Sequence, residues 1–131
     1  VPTLFFNTAT GPTSILPVTT EIPIISLPVT VTAGEDVKVD YSLSIEVVAT
    51  ANWSINVQNR LYRDSTLIDT RIFNRSATTA GTQRFPIAST QVDTAVATGT
   101  SIYSILTFVT TANSVTAATA NNIDINAIVF E

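Results

Sequence analysis

No cysteine, no histidine and no methionine occur among the 131 residues. No disulfide framework can operate, so packing and hydrogen bonds must hold the chain together. Imidazole, the usual base near neutral pH, is missing, as are the thiolate nucleophile and every soft metal ligand. The main oxidation targets are absent too, which suits long exposure outside a cell. Charge is scarce: Asp, Glu, Lys and Arg make up 12% of the chain, where about a quarter is usual. Lysine occurs once, at Lys38, and the net charge is −4. Nucleic-acid binding is disfavoured, because no basic stripe exists to displace phosphate counterions. No apolar run approaches the roughly 18 residues that would span a membrane as a helix. No signal-peptide pattern is present. The start at Val1 is expected to reflect a removed leader or a trimmed, mature form.

What fills the chain instead is 23 Thr, 11 Ser, 14 Val and 14 Ile. β-Branched side chains are stiff at χ1 and fit a pleated surface, so this composition favours strands over helices. A chain of this length fits one domain and buries a core without a metal or disulfide staple.

Five of the six prolines lie in the first 28 residues: Pro2, Pro12, Pro17, Pro23 and Pro28. Proline lacks a backbone donor and belongs in extended arms and at sheet edges. Residues 1–16 therefore read as an extended N-terminal arm, a candidate donor strand, and residues 17–131 as the folded domain. Leu4, Phe5 and Phe6 are the candidate anchors of that arm.

From Val37 to Val47 apolar residues hold the odd positions and polar ones the even positions, the pattern of a strand with one buried face. Residues 52–63 and 66–75 read as a hairpin around Asp64-Ser65. The preferred register sets Leu61 opposite Ile68, Val57 opposite Ile72 and Arg60 opposite Asp69. A one-residue slip would set Leu61 against Asp69 and Ile55 against Arg75. Gln83 to Gln91 is a strand that Pro86 pushes toward an edge or a bulge. Ser101 to Thr110 is apolar on both faces, so burial on both sides is expected. Residues 111–122 read as loop or edge strand, and Ile123 to Phe130 as the last strand. Eight to ten short strands and no helical period indicate an all-β, two-sheet sandwich of jelly-roll type.

Several segments together resemble one family. They are Tyr41-Ser42-Leu43-Ser44-Ile45-Glu46, Arg60-Leu61-Tyr62-Arg63-Asp64-Ser65-Thr66-Leu67-Ile68, Ala80-Gly81-Thr82-Gln83 and Ile125-Asn126-Ala127-Ile128-Val129-Phe130. In that order they resemble the C1q/TNF-like jelly-roll domains of Bacillus-type spore surfaces, the exosporium, and of spore appendages, over residues 30–131. The resemblance implies an extracellular structural protein that either trimerises as a recognition or adhesion tip or repeats along a pilus-like fibre. In the fibre version an N-terminal extension inserts into the neighbouring subunit. The family often has Asp-Gly where this chain has Asp64-Ser65, which leaves the turn type open. With four Gly in all, no collagen-like stalk is present.

Residues 1–12 suit such insertion, since a bare Leu4-Phe5-Phe6 on a free arm would be an aggregation hazard. The competing reading makes them the first strand of their own domain. Trp53 is expected in the core. Arg60, Arg63, Arg71 and Arg75, with Asp64 and Asp69, are expected to form a solvated salt-bridged face. Glu35, Asp36, Asp93, Asn121, Asn122 and Asp124 could gather around calcium, though without EF-hand spacing. No catalytic, cofactor-binding or metal-binding residue is assigned, and no cofactor is expected. The expected partner is a further copy of the chain. The expected function is a self-assembling extracellular fibre subunit, with a trimeric tip and a virus-like coat protein as alternatives.

Overall fold

The structure is a computed structural model that describes residues 2–131; Val1, the first residue of the predicted arm, lies outside the described residues. Seven strands run in order: β1 (Thr3–Ala9), β2 (Thr13–Ser14), β3 (Glu21–Val31), β4 (Asp36–Arg63), β5 (Thr66–Ala77), β6 (Gly81–Thr94) and β7 (Gly99–Phe130). Every strand pairing is antiparallel.

Two strands, β4 and β7, are long enough to serve both sheets. They pair with each other and bend together at one corner. There the register breaks between Ala49 and Ser54, and Asn52 and Ser114 take φ of 58° and 55°. Asn is among the few non-glycine residues that accept the left-handed region readily, and Asn52 N–H donates to Thr78 O at 3.1 Å. Beyond the corner, the first sheet runs β3, β7, β4, β5, and the second runs β1 with β2, β7, β4, β6. The expected eight to ten short strands are thus seven, two of them divided by a bend.

The two sheets face each other. Trp53 and Phe73 of the first pack at a tilt on Phe85 of the second, with ring centroids 6.4 and 5.5 Å apart. Between the layers Val37, Val39, Ile45 and Val47 meet Ile55, Val57, Leu61 and Ile105, all essentially inaccessible to solvent. Each such side chain contributes roughly 1.5–3 kcal/mol of burial. The odd positions of β4 turn inward along 37–47, as the alternation predicts. Trp53 is buried, and its indole N–H donates to Thr79 O at 3.2 Å.

Three expectations are corrected. The hairpin keeps the preferred register only beside the turn, where Arg63 faces Thr66 and Tyr62 faces Leu67. A bulge then takes up Ile68, and the slipped register follows, with Leu61 opposite Asp69 and Ile55 opposite Arg75. Matching apolar with apolar fails because β5 is an edge strand. Its inward polar side chains reach the rim of the sandwich and find partners there, while Ile68 packs on the core from the bulge. Second, residues 111–122 are strand and not loop: they pair with β4 on one side, while on the other only Thr119 and Ala120 meet a strand, β2, so 111–118 keep the edge character expected of them. Ala118 and Ala120 are small enough to let the layers close over them. Third, 101–110 is buried on one face only. Tyr103, Ile105 and Val109 point inward, whereas Ile102 is 43% exposed, since no third layer covers the outer face.

The residues assigned to the arm lie on this same sandwich. β1 pairs with β7 from Thr3 opposite Val129 to Ala9 opposite Ile123. Ile15 is fully buried. Gly11, between β1 and β2, takes φ +73°, and a Cβ there would stand 2.5 Å from Ala120 O. We expect Gly11→Ala to destabilise the fold by about 1–3 kcal/mol, from left-handed strain and the backbone clash together. The shift of the urea unfolding midpoint measures it.

Candidate assembly surface

Strand β1 occupies an edge of the second sheet, so one row of its backbone groups has no partner strand within the sheet. Its side chains alternate. Phe5 and Ala9 turn inward against the core. Leu4 and Phe6 turn outward and are 58% and 71% exposed. The three predicted anchors are therefore split, one to the core and two to the surface.

The outward pair is not isolated. Leu4 lies opposite Ile128 on β7, Ile128 opposite Lys38 on β4, and Lys38 opposite Val92 on β6. Val92 and Phe130 are exposed on the same outer face, opposite Lys38 and Asp36. An apolar stripe thus crosses the second sheet, interrupted by the lysine stem. Ile128 and Phe130 lie on the face of the last strand opposite the buried Ile123, Ile125, Ala127 and Val129, and neither is singled out as a surface residue by the sequence analysis. The signal was available: two large apolar residues at the even positions of an otherwise alternating strand.

The arginines do not share one face. Arg60 lies 4.2 Å over the Phe108 ring on the outside of the first sheet and donates to Glu21 at 2.8 Å. Tyr62 donates to the same carboxylate at 2.5 Å. The hydrogen bonds from Tyr62 and Arg60 hold the Glu21 carboxyl below its ordinary range. Arg63 instead crosses between the sheets. Its Nη1 donates to both Asp93 oxygens at 2.6 and 2.7 Å, and Tyr103 adds a hydroxyl at 2.7 Å. Arg63 and Asp93 side chains are only 12% and 11% exposed, so this pair clamps β4 to β6 across the core. Arg71 donates to Asp69 at 3.1 Å and to Ser89 at 2.9 Å. Arg75 lies over the rings of Phe73 and Phe85.

Four of the groups weighed for calcium have local partners, Asn121 donating to Thr119. Glu35 accepts from Thr32 N–H, Asp36 from Thr94, and Asp93 from Arg63 and Tyr103. Among the described residues no group of three or more Asp or Glu side chains is placed to hold a metal ion. Also among them, no helix is long and apolar enough to cross a membrane.

No protein-family model matches the sequence, and no characterised protein matches it in sequence. Solved structures do resemble it in fold. A structure of the infectious bursal disease virus Gx strain aligns over 99% of this chain and 33% of its own, at 14% identity and a TM-score of 0.59. The T13 particle of the same virus aligns over 97% and 31%, at 16% identity and a TM-score of 0.56. Its VP2 subviral particle aligns over 97% and 32%, at 16% identity and a TM-score of 0.51. The fold is a jelly roll. The chain spans about a third of the length of these viral chains. None of these three is a C1q/TNF-like or spore-surface protein.

Two predictions follow from the clamp and the tyrosines. Asp93→Asn leaves the Arg63 charge largely buried without its counter-ion, so a loss of about 3–5 kcal/mol is expected in chemical denaturation. All three tyrosines resist ionisation. Burial pushes Tyr41 up to about 12 and raises Tyr103, which also donates to Asp93. The bond to Glu21 raises Tyr62. Folded values above unfolded ones mean that this stability is complete below pH about 10 and fades as pH rises through the folded values. Ultraviolet titration should show tyrosinate forming well above pH 10 in the native protein and near pH 10 in denaturant. A native midpoint near 10 would contradict the burial of Tyr41 and Tyr103 and the bonds that Tyr62 and Tyr103 make to carboxylates.

Proposed function

We propose that this chain is a structural, self-assembling subunit, and that copies are joined without covalent bonds by exchange of the N-terminal strand. The observation that carries the reading is the condition of β1. It is a seven-residue edge strand, it leaves Leu4 and Phe6 on the surface, and a connection containing Gly11, Pro12 and Pro17 separates it from β3. The groove along β7 from Ile123 to Val129 that accepts β1 within one chain has the same chemistry for the β1 of a neighbour. Passed head to tail, such a contact does not close and builds a filament. Outward Leu4 and Phe6 would be covered where subunits abut.

An extracellular place on a spore surface or appendage, and non-enzymatic action, belong to this reading. Two features support it: the absence of oxidisable Cys and Met, and the segments that resemble spore-surface jelly rolls. A closed shell is the second reading. It is favoured by the fold likeness to subunits of icosahedral virus particles. A trimeric recognition or adhesion tip is supported only by the sequence resemblance.

Deletion of residues 1–12, followed by negative-stain microscopy and sizing, tests strand exchange. Loss of long assemblies is the expected outcome, and a free peptide of residues 2–12, which fills the groove without joining two subunits, should not restore them. Assemblies that persist unchanged would refute strand exchange. Round particles of uniform diameter from the intact chain would favour the shell over the fibre.

A further inference from the structure

Of the four sheet edges, β3 carries Pro23 and Pro28 and β6 carries Pro86, residues that block strand addition. β1 lies beside β3, where Asn7 Nδ2 donates to Ser26 O at 2.9 Å. β5 differs from all of them. It pairs with β4 on one side only and runs twelve residues, Thr66–Ala77, with no Pro, Gly or Lys. Its outward Leu67 and Ile72 are 49% and 59% exposed. An open edge of this length is a template for another strand.

The sequence of that edge says which strand. Ile68-Asp69-Thr70-Arg71-Ile72 reads the same in both directions, except that Asp69 is mirrored by Arg71. Antiparallel pairing with an identical strand about Thr70 therefore sets each Asp69 opposite the other copy's Arg71, twice, with Ile68, taken up by the bulge, at the end of the paired stretch. Opposite charges directly across an antiparallel pair stabilise it, and like charges destabilise it. Asp69 and Arg71 already lie at the rim beside Ser89, with the Arg71 side chain half exposed. Each can turn from its neighbour in the chain to the same neighbour in a second copy. A two-fold axis through Thr70 makes the contact self-complementary, so it closes as a dimer.

We propose that the β5 edge binds β5 of a second copy, antiparallel about Thr70, joining the two first sheets into one continuous sheet. The contact is separate from β1, which lies in the second sheet, and does not depend on strand exchange.

Charge reversal on the full-length chain tests it. D69R and R71D each place like charges across the axis, and each is expected to lose dimer in sedimentation velocity. Mixed together they are expected to form a heterodimer, because the two arginines of one copy then face the two carboxylates of the other. A merely destabilised fold would not regain dimer on mixing. Thr70→Cys gives an independent readout in a chain with no other cysteine. Directly opposed residues lie about 4.5–5.5 Å apart between Cα atoms, within disulfide reach, so oxidation should cross-link the two copies. Thr66→Cys, whose counterpart would be about 27 Å away along the strand, should not cross-link. The proposal is overturned if single and mixed variants behave alike, or if both cysteine variants cross-link to the same extent.

Discussion

Everything in this molecule depends on the pairing of β4 with β7. The two longest strands lie side by side at the centre of both sheets and turn the same corner together. Because they are continuous, the two layers cannot separate without straightening the bend at Asn52 and Ser114. A bend of this kind replaces a loop, so the chain needs no disulfide to hold one sheet over the other. The corner residues carry positive φ, and the surrounding ladder supplies the hydrogen bonds that keep them there.

Polar links between the layers add definition to a core that is otherwise aliphatic. Arg63, Asp93 and Tyr103 tie β4, β6 and β7 at one end. Within the first sheet, Thr107 donates to its cross-strand partner Asn59 at 3.0 Å in the fully buried interior. Among the described residues, Asn59 Nδ2 and the Tyr41 hydroxyl have no hydrogen-bond partner. An unsatisfied buried polar atom costs about 1–3 kcal/mol. The aliphatic packing around them carries that cost.

The strongest alternations are legible in the sequence itself. Val37 to Val47, the Asp64-Ser65 turn and the burial of Trp53 follow from period, turn chemistry and size. The hairpin register did not, and the reason is physical. Pair matching assumes that residues opposite each other share one environment, but β4 is central and β5 is an edge. Leu61 can be fully buried while Asp69 across from it reaches solvent and Ser89. The same limit hid the arginine partners. Arg60 was matched with Asp69 by local register, whereas Glu21, far away in sequence, is what β3 brings to it across β7.

Composition and period by themselves determined an all-β sandwich, because β-branched residues in alternation have no competing way to bury one face. They also located Leu4, Phe5 and Phe6 as a strand-forming segment bounded by prolines. Only the tertiary structure decided which strands share a sheet, which of those three side chains face outward, and which edges stay open. Those outcomes rest on contacts between residues distant in the chain. A two-residue period carries the face of a strand but not its neighbour.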